Sequence, residues 1–163
     1  MIIIIEGLDG VGKTTIAKQI SKNYNYEYIH ESYTDDVKEK KERIIMLLLR
    51  LMENKNFIYD RTTLIDDFVY NFLNKTESDL GEYKKIILQI LEKCKIFHLQ
   101  LDEQIRKQRF DNRGDEYITN DDISQIAHQY ELFYQQLSNV QYIQLTEDNE
   151  QNIEKIMRRL KND

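Results

Sequence analysis

A chain of 163 residues can bury one sizeable core. Its 29 acidic against 23 basic residues leave a net charge of −6, which argues against sequence-independent nucleic-acid binding. The only cysteine is Cys94, which excludes a disulfide framework or a cysteine-rich metal site, and no apolar run approaches the roughly 18–20 residues of a membrane-spanning helix. The short apolar opening has no basic segment before it, so no leader is expected and the predicted setting is cytoplasmic.

Met1 to Glu6, M-I-I-I-I-E, reads as a buried strand. It breaks into Gly7, Leu8, Asp9, Gly10, Val11, Gly12, Lys13 and Thr14, and an amphipathic stretch begins at Thr15. Strand, glycine-rich turn and helix are the context that G-x-x-x-x-G-K-[ST] requires, so residues 7–15 are predicted to bind ATP through its phosphates. Glycines let the backbone approach a phosphate closely. The amides and the helix start attract anions. Lys13 would bring a mobile charge to the β- and γ-phosphates, and Thr14 would offer its hydroxyl to Mg²⁺. Asp9 is out of place among phosphates unless it faces something else, such as a sugar hydroxyl, and so suggests a second substrate.

Further along, residues 26–30 predict a second strand with Glu31 at its C-terminal end, and residues 35–54 a helix, charged first and then leucine-rich. Residues 56–59 predict a third strand ending in Asp60-Arg61. Thr63 is read as the cap of a helix carrying Leu64, Ile65, Phe68, Val69 and Leu73. Residues 79–93 predict a helix, 96–101 a fourth strand, 105–113 a basic helix, 119–138 another helix, 140–145 a fifth strand, and the spacing around Ile153, Ile156, Met157 and Leu160 a last helix. Alternating strands and helices predict a single α/β domain over residues 1–163, with a parallel sheet covered on both faces. Ligands of such sheets bind beyond the C-terminal strand edges, where the phosphate loop, Glu31, Asp60-Arg61 and the basic segment all fall.

A charged pair ending a buried strand is costly unless it faces a cleft. Arg61 is therefore read as a clamp on an acceptor phosphate. Asp60 is read as acting near the acceptor or Mg²⁺, through water if need be; a strand-end ion pair is the alternative. Tyr70, with Asp66, Asp67 and Asn71, occupies the polar face of the next helix and could line an acceptor pocket. Arg43 and Arg50 could reach an acceptor phosphate from the preceding helix or stand as solvated charges. Arg106, Arg109 and Arg113 fall at i, i+3, i+7, one helical stripe, and suggest a lid over residues 106–118; a basic surface helix fits the same spacing. Cys94 and His98 read as core residues.

Together these segments resemble the thymidylate kinase family of nucleoside monophosphate kinases. Glu6 to Thr15 reads E-G-L-D-G-V-G-K-T-T, Asp60-Arg61-Thr62 stands where that family has D-R-Y, and Leu101-Asp102 precedes the arginine-bearing segment. The resemblance implies a five-stranded parallel sheet flanked by helices, the P-loop kinase fold. It implies transfer of the γ-phosphoryl of MgATP to a deoxynucleoside monophosphate, dTMP first. It assigns Asp9 to the acceptor sugar, Arg61 to the acceptor phosphate and Lys13 to the moving phosphoryl group. Because Gly10 follows Asp9, it assigns the catalytic cations to Arg109 and Arg113. Glu31, Arg43, Asp60 and Tyr70 complete the expected acceptor site. The expected partners are small-molecule nucleotides, with no membrane and no nucleic acid, and a homodimer is allowed because the family is commonly dimeric. The sequence departs from the family in the short stretch between Lys13 and Asp60, in Glu31-Ser32 for E-P and in Val69-Tyr70-Asn71 for A-Y-Q. Two other readings stay open: a kinase acting on a deoxynucleoside or polynucleotide 5′-hydroxyl, for which Glu31 or Asp60 could be the base, and a non-catalytic nucleotide-binding module.

Overall fold

The computed structural model describes residues 1–74, 77–111 and 120–162. Its order is β1 (Ile2–Gly7), α1 (Lys13–Tyr24), β2 (Glu27–His30), α2 (Val37–Met52), β3 (Phe57–Asp60), α3 (Thr63–Tyr70), α4 (Lys84–Leu91), β4 (Lys95–Gln100), α5 (Glu103–Asp111), α6 (Asn120–Tyr134), β5 (Val140–Gln144) and α7 (Asn149–Asn162). All strand pairs are parallel, in the order β2-β3-β1-β4-β5. The expected five-stranded α/β sheet is therefore present. Among the described residues no helix is long and apolar enough to cross a membrane.

The isoleucine run forms the central strand because it supplies two apolar faces at period two. Ile2 and Ile4 face one core with residues of α2, α3, α4 and α6, and Ile3 and Ile5 face the other with α1 and α7. Each buried isoleucine is worth about 2 kcal/mol relative to exposure. This double burial holds the end of β1, and hence the phosphate loop, against both layers.

Gly7 leaves the strand at φ +139°, and a Cβ built on it would sit 2.5 Å from the carbonyl oxygen of Leu99 on β4. No side chain fits between two backbones that close. Gly7→Ala is expected to destabilise the fold by at least about 3 kcal/mol. A denaturant titration checks this, and an unchanged midpoint would contradict the packing described.

Several boundaries differ from the expected ones. Thr62, not Thr63, caps α3: its hydroxyl accepts from the Leu64 amide at 3.4 Å. The Thr63 amide donates instead to Glu31. The helix expected over 79–93 is shorter, a 3-10 turn at Gly81–Tyr83 leading into α4. There Asp67 accepts from the Ser78 hydroxyl and the Leu80 amide, which holds the segment before the turn in place. The helix expected over 119–138 ends at Tyr134.

Candidate functional site

The phosphate loop turns through Gly10 and Gly12 at φ +85° and +98°, and α1 starts at Lys13. Thr14 and Thr15 are exposed on its first turn, and Lys13 is buried. The Lys13 ammonium donates to the carbonyls of Gly7 at 2.7 Å and Leu8 at 2.8 Å, and lies 3.7 Å from the Asp9 carboxylate. Burial, then the nearby Arg61 guanidinium, pull its pKa down to about 8.

Arg61 adopts φ +69°, unusual for a residue with a side chain. Its amide donates to Ile5 and its guanidinium to Asp9, with the Tyr70 hydroxyl at 3.4 Å and the guanidinium 5.6 Å from the centre of the Tyr70 ring. Asp9, Arg61 and Tyr70 thus come together next to Lys13. A second group adjoins it: Glu31 accepts from the Thr63 amide at 2.8 Å and the Thr62 hydroxyl at 3.3 Å, and Arg43 lies 4.0 Å from it while donating to the Ser32 carbonyl and the Thr63 hydroxyl. Arg50 is elsewhere, bonded to the Tyr59 hydroxyl and stacked near Phe57 and Tyr59.

Asp60 departs from the cleft-facing reading. Side chains alternate along β3, and Asp60 follows Ile58 on the α1 side of the sheet. Its buried carboxylate accepts from the Tyr28 hydroxyl at 2.8 Å and has His30 Nδ1 at 3.3 Å. A buried charge is tolerable when hydrogen bonds surround it, and β2 supplies them. Asp60 therefore faces Tyr28 and His30 rather than the Asp9–Arg61 pair. Asp67, on α3, is also committed to structure: it accepts from the buried Lys40 ammonium at 2.8 Å, which also reaches Asp79 at 2.6 Å.

The arginine stripe divides. Arg106 turns inward and is buried, its Nη1 without a hydrogen-bond partner among the described residues, beside a cavity of about 440 Å³ between α5, α6 and the ends of β4 and β5. Arg109 is exposed, and its Nη1 would lie 3.7 Å from a methyl group built on Gly12, directly over the phosphate loop. Arg113 and the rest of the expected lid, residues 112–118, lie outside the described residues.

Glu6 ends the isoleucine strand. It is fully buried at the base of the loop, accepts from the Thr62 amide at 2.9 Å and from the Tyr130 hydroxyl at 3.1 Å, and Tyr130 also lies 3.5 Å from Asp66. Burial, then the Asp66 charge, push the Glu6 carboxyl well above the usual range; Asp66 is raised as well, by burial first. The signal available for Glu6 was an acid ending an isoleucine run, where only a hydrogen-bonded or protonated carboxyl can sit. His98 is core as expected, packed among Tyr130, Tyr134 and Tyr142, and burial lowers its pKa to about 4. Cys94 is buried and its thiol is pushed up to about 12.

A divalent cation arriving with a triphosphate fits this donor set. Among the described residues no cluster of three or more histidine, cysteine or acidic side chains could form a cage, and Thr14 stands exposed at the helix start. Mg²⁺ is commonly held this way, by few protein ligands and the substrate phosphates.

Residues 3–127 match the family described as AAA domain. The SPbeta prophage-derived uncharacterized protein YorR of Bacillus subtilis is 33% identical over 140 residues, 85% of this chain and 82% of YorR. The crystal structure of YorR in complex with phosphorylated GDP superposes with a TM-score of 0.74 at 24% identity, over 99% of this chain and 96% of that one. Deoxyadenosine kinase from M. mycoides with bound dCTP gives a TM-score of 0.63 at 26% identity over the whole of both chains. A putative thymidylate kinase of Acidianus bottle-shaped virus is 33% identical over 96 residues, 56% of this chain and 59% of that protein. The chain belongs to the AAA-domain family, and its P-loop fold is that of the nucleoside and nucleotide kinases.

Proposed function

We propose that this protein is a phosphotransferase that moves the γ-phosphoryl of MgATP to a deoxynucleoside monophosphate, with dTMP as the first acceptor to test. The observation that carries the reading is the Asp9–Arg61 pair beside Lys13. It brings a carboxylate suited to a sugar hydroxyl and a guanidinium suited to a phosphate against the loop where the donor would sit.

The mechanism is positioning plus charge neutralisation. The loop amides and the start of α1 hold the donor phosphates, and Lys13 leaves the carbonyls of Gly7 and Leu8 to follow the migrating group. Thr14 would hold Mg²⁺, which would neutralise charge on the donor phosphates. Arg61 exchanges Asp9 for the acceptor phosphate, and Arg43 is available beside Glu31. Arg109, which lies by Gly12, would bring a further cation to the migrating group, and Arg113 is proposed from the sequence as the second. A monophosphate is already anionic at neutral pH, so the transfer needs no general base. A screen for acceptor-dependent ADP release across nucleosides, their monophosphates and a 5′-hydroxyl oligonucleotide tests the reading, and release with none of them would overturn it.

A second reading, transfer to a deoxynucleoside 5′-hydroxyl, is favoured by the ordered carboxylate of Glu31 on the acceptor side and by the likeness to deoxyadenosine kinase. A hydroxyl must lose its proton, and Glu31 could take it. Glu31→Gln separates the two. With a monophosphate acceptor, kcat is expected to stay within about tenfold of wild type; with a hydroxyl acceptor it would fall by about 10²- to 10⁴-fold with little change in KM.

A further inference from the structure

We infer that the cavity between α5, α6 and the ends of β4 and β5 is a binding site for a small aromatic monocarboxylate, separate from the phosphate loop and from the Asp9–Arg61 pair. Its volume of about 440 Å³ lies in the range of small-molecule sites. Two cross-strand pairs make its floor, His98 with Tyr142 and Gln100 with Gln144. They share one face of the sheet because side chains alternate along a strand. Ile123, Ala127 and Tyr130, at i, i+4 and i+7 on α6, make one wall. Leu8 and Val11 reach it from the phosphate loop, but Asp9, Lys13, Thr14 and Arg61 do not line it.

Arg106 sets the charge of the ligand. It is 5% exposed, it borders the cavity, and its Nη1 has no hydrogen-bond partner among the described residues. A guanidinium held out of water is strongly unfavourable unless an anion faces it. The two acids at the cavity do not supply that anion. The Glu103 side chain is 72% exposed and pairs with Lys107 at 2.8 Å, and Glu131 is exposed on α6. His98 brings no second cation, because burial lowers its pKa to about 4 and leaves it neutral at pH 7. One buried cation balances one negative charge, which favours a carboxylate over a phosphate dianion. The guanidinium fork also matches the two oxygens of a carboxylate. The body of the ligand meets rings: the His98 centroid lies 4.9 Å from that of Tyr130 and 5.4 Å from that of Tyr142. A flat aromatic body suits such walls. Gln100 and Gln144 are exposed, so the cavity opens beside them along the β5 edge.

Calorimetric titration of the full chain with 2-naphthoate is expected to show binding, and the neutral 2-naphthamide should bind at least about tenfold more weakly. Saturating MgADP should change the 2-naphthoate affinity by less than about threefold, because the donor would lie elsewhere. Arg106→Met should weaken 2-naphthoate at least about tenfold. Without ligand the same variant should unfold at a higher temperature, because it removes a buried charge that has no partner. Were a carboxylate of the chain already paired with Arg106, that substitution would lower the unfolding temperature instead. Ala127→Phe keeps the arginine, fills the cavity and should abolish binding. No binding of 2-naphthoate at millimolar concentration, an amide that binds as well as the acid, or displacement by MgADP would overturn the inference. So would a lowered unfolding temperature in Arg106→Met, or unchanged affinity in Ala127→Phe.

Discussion

Changing Lys13 to alanine is expected to lower phosphoryl transfer by on the order of 10³-fold or more, leaving the fold intact. The side chain is buried, and its bonds to the Gly7 and Leu8 carbonyls hold the loop in shape as well as storing the charge that the donor needs. Substantial turnover in the variant would contradict the phosphate-loop assignment. The lysine also carries a pH signature. Its pKa in the fold is about 8, against 10.5 in an unperturbed lysine, because burial and Arg61 disfavour the charged form. Between these values the unfolded chain keeps a proton that the folded protein lacks. This residue's cost to stability is therefore present in full below pH about 8 and is relieved as the pH rises toward 10.5. Donor phosphates reverse the preference. Triphosphate affinity is expected to fall as the pH rises through about 8, and binding above that pH should take up a proton. Calorimetry in buffers of different ionisation enthalpy measures that uptake.

The second large effect is expected from Arg109 and Arg113 changed together to alanine. One arginine supplied to a migrating phosphoryl group contributes roughly 10³- to 10⁵-fold. Gly10 leaves the loop without an arginine next in sequence to Asp9, and Arg109 lies over Gly12. The double variant should therefore lose at least about 10³-fold in kcat while donor affinity changes far less. Pre-steady-state transfer with saturating donor separates the two quantities. If affinity alone falls, the segment is a binding clamp and the assignment of Arg109 and Arg113 drawn from Gly10 fails.

What the sequence made legible was whatever local chemistry decides. An isoleucine run needs two covered faces, a glycine-rich turn before a helix makes an anion nest, and the parallel order follows from alternating strands and helices. Asp9 and Arg61 could each be read toward an acceptor because each looked wrong except beside a substrate. What stayed hidden depends on distant pairing. Glu6 meets Tyr130 across 124 residues, and nothing local announces it. Lys40 sits inside a run of charges and looks solvated, yet it is buried because Asp67 and Asp79 arrive from elsewhere to receive it. Asp60 was expected to face the cleft, but strand alternation turns it toward Tyr28 and His30. Thr63 seemed the natural cap, but Glu31 takes its amide and Thr62 does the capping.

The proposed acceptor is a deoxynucleoside monophosphate held between Asp9 and Arg61. Incubation with γ-labelled ATP, Mg²⁺ and dTMP, followed by separation of the products, tests it most directly. Label appearing in dTDP, and lost in Arg61→Ala with the donor Kd little changed, is the predicted result. Label appearing instead at the 5′-hydroxyl of a nucleoside, with none passing to any deoxynucleoside monophosphate, would contradict it.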